Sequence, residues 1–161
     1  MDTVEAPRVT ALLLDLDGVL GDTRPLWEGW LADTSRLLDL DPATLPRDRA
    51  AAAAVLDERG AGNWRVLLER YASERAPVYL RPDAAVSAAL RSLASSGARL
   101  GIYTDAPEEL ARVAVAQLGA ARRVEAVESG ADARERLRAR LGPEAELVTT
   151  RDGLLGRVPG P

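Results

Sequence analysis

The chain has 161 residues, of which 25 are acidic and 21 are basic, and its formal net charge is −4. This length suits one domain with a small insertion, and the charge balance leaves no basic surplus for binding a nucleic-acid backbone. Cys, His and Lys are absent, which excludes disulfides, imidazole bases and Schiff-base lysines and leaves carboxylates, hydroxyls, arginines and an oxygen-binding metal ion for any chemistry.

The first half of the chain predicts one buried strand and then a helical segment. Residues 9–14 form a short apolar run, which is typical of a strand buried on both faces of a parallel sheet. Apolar residues then recur at helical spacing over residues 25–79, with breaks at prolines and glycines. We therefore predict an all-helical cap over residues 23–79, inserted into a core made of residues 1–22 and 80–161.

Helices and strands alternate in the second half. Helices are predicted over residues 83–96, 105–119 and 132–141, and strands over residues 99–103, 124–127 and 146–148. Asp105 and Glu108 have the spacing of a capping box at the start of the second of these helices. Residues 153–161 are rich in Gly and Pro and are expected to be loose. The alternation indicates an α/β fold with a Rossmann-like parallel sheet.

Acidic and hydroxyl side chains gather at the ends of the predicted strands, where open α/β sheets bind their ligands. These ends are, in chain order, Asp15-Leu16-Asp17-Gly18, Thr104-Asp105, Glu128-Ser129-Gly130 and Thr149-Thr150-Arg151-Asp152. Asp15 and Asp17 would point the same way from a regular strand, and two carboxylates that close repel each other unless a cation or a proton intervenes. The pair therefore predicts a Mg²⁺ site or a general acid, with a plain turn after the strand as the alternative.

The segment LLLDLDGVL, followed by residues 21–27, resembles the first motif of the haloacid dehalogenase superfamily. It is most similar to members with a helical cap just after that motif. The stretch over residues 99–107, a predicted strand that ends at Thr104, resembles the second motif, and the resemblance covers about residues 9–127. It implies a Mg²⁺-dependent phosphatase that hydrolyses a small phosphate monoester, such as a phosphorylated metabolite.

The resemblance also implies a role for each matching residue. Asp15 would be the nucleophile that forms an aspartyl-phosphate, and Asp17 would protonate the leaving oxygen and then activate water. Thr104 would bind the phosphoryl oxygens, with Gly18 and Asp105 beside the substrate. Mg²⁺ would bind the Asp15 carboxylate and the Asp17 main-chain carbonyl. Asp152 is a further candidate metal ligand, or else part of a simple Asp-Gly turn.

Two departures from the family pattern leave alternatives open. The third motif normally supplies a Lys, and Arg134 is the best replacement, followed by Arg136, although the arginines of residues 134–140 also suit a solvated helix face. The fourth motif normally supplies acids where this chain has Thr149 and Thr150, and the family's last strand and helix are expected to be missing or trimmed. A catalytically degenerate protein with a binding or regulatory role is therefore the alternative to the enzyme. Asp17 disfavours dehalogenation, and phosphomutase activity stays open.

The remaining expectations concern the cap and the cell. Tryptophans at helical spacing are more often core residues than substrate contacts, so Trp27, Trp30 and Trp64 are predicted to be buried against neighbouring helices, while Arg24 and Arg65 could reach an anionic substrate. No apolar run approaches the ~20 residues that cross a bilayer, and residues 1–7 lack the basic start of a signal peptide. We expect a cytoplasmic monomer or homodimer with no membrane or nucleic-acid partner.

Overall fold

Four short parallel strands form the centre of the fold in a computed structural model that describes residues 10–158. The strands are β1 (Ala11–Asp15), β2 (Arg99–Thr104), β3 (Ala126–Ser129) and β4 (Glu146–Val148). Their order across the sheet is β3-β2-β1-β4, so β1 is central, with Leu14 beside Ile102 on one side and Val148 on the other. The predicted α/β class with a parallel sheet is confirmed. Val9, where the first predicted strand begins, lies outside the described residues.

Seven α-helices and two short helical turns surround the sheet within the described part of the chain. The helices are α1 (Arg24–Thr34), α2 (Arg49–Glu58), α3 (Trp64–Tyr79), α4 (Ala84–Ser95), α5 (Glu108–Gln117), α6 (Ala133–Leu141) and α7 (Arg151–Leu155), with a π-helical turn at Leu16–Leu20 and a 3₁₀ turn at Pro42–Thr44. None of the helices in residues 10–158 is both long and apolar enough to cross a membrane.

Two local predictions are wrong. Residues 153–155, expected to be loose, belong to α7, because the Thr150 hydroxyl accepts a hydrogen bond from the Gly153 N–H at 3.0 Å and caps that helix. Helix α5 has Pro107 at its N-cap and no side-chain cap, so the expected capping box of Asp105 and Glu108 does not form. The Asp105 carboxylate is used elsewhere, as described below.

The two faces of the sheet are covered by different helices. Leu12 and Leu14 belong to a large hydrophobic cluster that includes residues of α1–α5, whereas Leu13 packs with Leu137 and Leu141 of α6. This division follows from the alternation of side chains along a strand. Helix α6 lies so close to β2 that a Cβ added at Gly101 would be 2.6 Å from a Leu137 methyl carbon.

The helical insertion shares its hydrophobic core with the sheet. Trp27, Trp30 and Trp64 are all nearly fully buried, and the ring of Trp30 lies 5.3 Å from that of Trp27 and 5.8 Å from that of Trp64. The predicted core role is confirmed for Trp30 and Trp64, whereas Trp27 is buried and also lines the cavity described in the next subsection. Arg65 pairs with Glu109 of α5 at 3.2 Å, so it holds α3 against α5 and does not line the cavity described in the next subsection. The domain boundaries at residues 23 and 79 stay a prediction.

Candidate active site

The π-helical turn after β1 places two carboxylates at the carboxyl end of the sheet. The Asp15 side chain accepts a hydrogen bond from the Asp17 N–H at 3.2 Å, which caps the turn. A Cβ added at Gly18 would overlap the main-chain oxygen of Thr149, so only glycine lets the turn approach the loop after β4 this closely. Gly18 thus has a structural role here, and it does not line the cavity described below.

Both carboxylate oxygens of Asp17 are already engaged. Its Oδ1 accepts hydrogen bonds from the Thr23 N–H at 2.8 Å and the Thr23 hydroxyl at 2.6 Å. Its Oδ2 accepts one from the Thr104 hydroxyl at 3.2 Å and one from Arg49 Nη2 at 2.6 Å. The Asp17 side chain is 13% exposed, so this ion pair is largely shielded from water and fixes the position of the carboxylate.

Arg49, the first residue of α2, is the centre of this network, and the sequence analysis missed it. Its side chain is only 4% exposed, and Nη2 lies 2.6 Å from Asp17 and 2.7 Å from Asp105. Nη1 donates to the Thr23 hydroxyl at 2.6 Å, and the main-chain N–H donates to Asp105 Oδ2 at 3.0 Å. A cation in the first turn of a helix interacts unfavourably with the helix dipole. A basic residue at the start of a helix, directly before five alanines, was the one feature of the sequence that could have indicated a special role for Arg49.

The three carboxylates at this edge of the sheet, Asp15, Asp17 and Asp105, differ in their charged surroundings. Burial, followed by the nearby Asp17 charge, raises the pKa of Asp15 above its ordinary value, although two main-chain N–H groups work against this. Burial also acts to raise the pKa of Asp105, but the hydrogen bonds from Arg49 outweigh it and the pKa is lowered. The ion pairs found among residues 10–158 do not include Asp15. Asp15 is therefore the carboxylate that lacks a cation.

A cavity of about 1480 Å³ lies over this edge of the sheet. Its wall includes the predicted residues Asp15, Asp17, Thr104, Asp105 and Arg134. The helical insertion forms one side of the cavity, with Trp27 of α1 and Arg49 of α2, and the start of α6 forms the other. The volume is sufficient for a small-molecule substrate.

Other predicted cations contribute little to the centre of the site. Arg134 lines the cavity, but its side chain is 51% exposed and pairs with Glu135 at 3.4 Å. Arg136 turns away, since it pairs with Glu128 at 2.6 Å and donates to the Ser129 main-chain oxygen. Arg24 also lines the cavity, and its Nε forms an ion pair with Asp22 Oδ1 at 2.8 Å.

The predicted set of metal ligands is not assembled. Asp152 is exposed in the first turn of α7 and does not line the cavity. In the part of the chain that the structure describes, no three Asp, Glu, His or Cys side chains come together as a metal site. Asp15 alone still fits Mg²⁺, because no ion pair within residues 10–158 compensates its half-buried carboxylate and Mg²⁺ is often held by one or two carboxylates together with water and a substrate phosphate. Mg²⁺ therefore stays a prediction.

Comparison with known proteins identifies the fold. No protein-family model matches the sequence, and no match was found among curated proteins. Among solved structures, the chain is similar to a variant of CbbY from Rhodobacter sphaeroides in complex with xylulose-1,5-bisphosphate, at TM-score 0.63 and 15% identity over 86% of this chain and 76% of that one.

Two further structures extend the likeness. A haloacid dehalogenase-like hydrolase from Streptococcus pneumoniae matches at TM-score 0.56 and 16% identity over 86% of this chain and 74% of that one. The L-2-haloacid dehalogenase of Xanthobacter autotrophicus matches at TM-score 0.50 and 13% identity over 93% of this chain and 75% of that one. At such identities the comparisons show the fold, and the fold alone does not choose between the reactions of these proteins.

Proposed function

We propose that this chain, which has the haloacid dehalogenase-like fold, hydrolyses a phosphate monoester through a phosphoryl group transferred to Asp15. One observation carries the proposal. Asp15 ends the central strand and lines the cavity, and it takes part in no ion pair among residues 10–158, whereas Asp17 and Asp105 both pair with Arg49. Of the three carboxylates, Asp15 is the one free to attack. The phosphorylated sugar bound to CbbY supports a phosphate monoester as the substrate class.

The reaction has two steps. In the first, an Asp15 carboxylate oxygen attacks phosphorus, and the bond from phosphorus to the leaving oxygen breaks. In the second, water attacks the phosphorus of the aspartyl-phosphate and gives a proton to Asp17, while the bond from phosphorus to the Asp15 oxygen breaks, which releases inorganic phosphate and restores Asp15. Thr104, whose hydroxyl lies between Asp17 and Arg49, would turn towards a phosphoryl oxygen.

The position of Asp17 favours particular substrates. Both oxygens of its carboxylate accept hydrogen bonds, one of them from Arg49 at 2.6 Å, so one of these contacts must loosen before Asp17 can protonate the leaving oxygen. A phenolate leaves without a proton, and aryl phosphates should therefore react faster than alkyl phosphates. When bound at Asp15, Mg²⁺ would neutralise the phosphate charge that repels the carboxylate.

The test is hydrolysis of p-nitrophenyl phosphate with Mg²⁺ by the wild type and by Asp15→Asn. We expect turnover by the wild type and none above background by the variant. Asp152→Asn is the matched control, and it should keep the wild-type rate because Asp152 does not line the cavity. Equal rates for the wild type and Asp15→Asn would refute the proposal.

A binding or regulatory protein without turnover is the second candidate. It is favoured by the absence of a three-carboxylate metal site among residues 10–158 and by the ion pair on Asp17. Such a protein would bind inorganic phosphate in calorimetry but would not hydrolyse aryl phosphates with any divalent ion. Release of phosphate that depends on Asp15 would exclude it.

A further inference from the structure

The catalytic edge carries three carboxylates and one buried cation. Asp15, Asp17 and Asp105 all line the cavity. Within residues 10–158, Arg49 is the only arginine that hydrogen-bonds to any of the three. A phosphate group at Asp15 adds further negative charge to a half-buried site, where charges are poorly screened. A positive charge beside the three carboxylates should therefore matter more for phosphate binding here than it would at a solvent-exposed site.

We propose that Arg49 is the cationic positioning residue of this edge, supplied by the helical insertion. It holds Asp17 and Thr104 in place and cancels charge that would otherwise keep a phosphate group away from Asp15. This inference rests on the proposed phosphate chemistry and assigns the positive charge of the site to α2, where the sequence had indicated Arg134 of α6.

The geometry gives Arg49 a fixed position. Its Nε and Nη2 both donate to Asp105 Oδ1, at 3.1 and 2.7 Å, while Nη1 donates to the Thr23 hydroxyl at 2.6 Å. Nη2 also lies 3.3 Å from the Thr104 hydroxyl. A planar guanidinium held on several sides keeps its partners at set distances, which the compact ammonium of a lysine cannot do.

Arg49 and Arg134 line the same cavity, but Arg49 is buried and Arg134 is exposed. The side chain of Arg49 is 4% exposed and that of Arg134 is 51% exposed. Solvent and salt screen the charge of Arg134, so its effect on a bound anion should be small. Because Arg49 begins α2, its charge is present at the edge only when the insertion is packed against the sheet.

The experiment measures binding of inorganic phosphate by calorimetry, with Mg²⁺, for the wild type, Arg49→Ala, Arg49→Lys and Arg134→Ala. Arg49→Ala should weaken binding about tenfold or more, the effect of losing one charged interaction, whereas Arg134→Ala should stay within about twofold. Arg49→Lys keeps the charge, so its phosphate affinity should fall only about threefold while kcat falls more than KM rises.

Chemical rescue separates positioning from a merely structural role. Added guanidinium, at concentrations too low to denature the protein, should restore phosphate binding and hydrolysis to Arg49→Ala but should not raise them in the wild type or Arg134→Ala. Melting temperatures measured in the same buffers show whether the gain is only in stability. If Arg49→Ala does not fold, the kcat and KM values of Arg49→Lys decide the question.

Several outcomes would overturn the inference. If Arg49→Ala binds phosphate as tightly as the wild type, or more tightly, Arg49 does not favour binding of the anion. Arg49→Lys with unchanged kcat and KM would remove the positioning role, and Arg49→Lys without phosphate binding would remove the charge role. A wild type that binds phosphate through Arg49 but hydrolyses nothing would refute the proposed function alone. A wild type that does not bind phosphate would overturn both.

Discussion

Two regions of the molecule carry arginines towards the same cavity, and they differ in burial. Arg49 of the insertion is 4% exposed and bonds to two carboxylates, whereas Arg134 and Arg136 of α6 are 51% and 48% exposed. The sequence analysis favoured Arg134 because it lies near the start of the helix after the third predicted strand, and gave a solvated helix face as the alternative for the arginines of residues 134–140. A dense run of arginines suits a solvated surface, whereas a buried arginine must have partners for its charge. Arg49, which follows Arg47 and Asp48 and precedes five alanines, is the buried one.

The arginines of α6 have a different task. Arg136 and Arg140 both pair with Glu128 of β3, and Arg138 donates to the Ala145 main-chain oxygen at 2.9 Å. These contacts hold α6 against the sheet and the loop before β4. Exposed pairs of this kind each contribute about 0–1 kcal/mol to stability, so the region tolerates their loss one at a time.

The sharpest contrast between the regions should come from removing Arg49. We expect Arg49→Ala to lower the free energy of unfolding by about 3 kcal/mol, because it leaves Asp17, whose side chain is only 13% exposed, without its cation. Arg134→Ala, the matched control, should change it by less than about 0.5 kcal/mol. Urea unfolding followed by circular dichroism, in phosphate-free buffer, measures both. Similar free energies of unfolding for the two variants would contradict the distinction between the buried Arg49 and the exposed Arg134.

The second prediction concerns the contact that joins the β1 turn to the loop after β4. Gly18→Ala should lower stability by about 2 kcal/mol, because its Cβ would overlap the Thr149 main-chain oxygen and the two segments must separate. Gly156→Ala is the control, since its Cβ would meet nothing closer than the Asp152 main-chain oxygen at 3.3 Å. Thermal unfolding compares the two. A stable Gly18→Ala would mean that the loop after β4 yields freely.

The third prediction is a gain in stability. The pKa of Asp15 is raised by burial and by Asp17, so the folded state holds its proton more tightly than the unfolded state does. The group therefore destabilises the protein once the pH exceeds that raised pKa. Asp15→Asn should be more stable than the wild type by about 1 kcal/mol at neutral pH and should lose that advantage in acid. A loss of stability at neutral pH would contradict the charge balance proposed for this edge.

The smallest effect should be the acid dependence due to Asp105. Its pKa is lowered in the fold below the ordinary 3.8, so its pairing with Arg49 stabilises the protein above that pH and is lost as the pH falls through the lower value. Because the Asp105 side chain is 41% exposed, the contribution should be below about 1 kcal/mol. Asp105→Asn should make the melting temperature fall less steeply as the pH drops below the ordinary pKa of a carboxyl group, about 4.

A matched control isolates this slope. Asp152→Asn removes an exposed carboxylate outside the ion pairs of the described residues, and it should leave the acid profile as in the wild type. An Asp105→Asn profile parallel to that of the wild type would show that the Arg49 pair does not contribute to acid unfolding.

The sequence was informative where local patterns decide the structure. The apolar run before Asp15 and the helix–strand alternation after residue 80 predicted the sheet, because side-chain periodicity reflects burial directly. The same reasoning placed Asp15, Asp17 and Thr104 at one edge, since parallel strands end together.

Long-range contacts explain what the sequence did not reveal. Arg49 and Asp105 are 56 positions apart, and no local pattern marks either as the partner of the other. That contact also explains why Asp105 does not act as a helix cap. Helix α7 was missed because its glycines suggested a loop, while the cap at Thr150 stabilises one helical turn.

The clustering of the tryptophans has a practical consequence. The chain has 3 Trp, and they lie in α1 and α3 of the insertion, where their rings pack at 5.3 and 5.8 Å. Intrinsic fluorescence excited in the indole band is therefore a reporter of the insertion alone. Stopped-flow emission, recorded beside far-ultraviolet dichroism of the whole backbone, would time the movement of these helices separately from unfolding of the strands, without any attached dye.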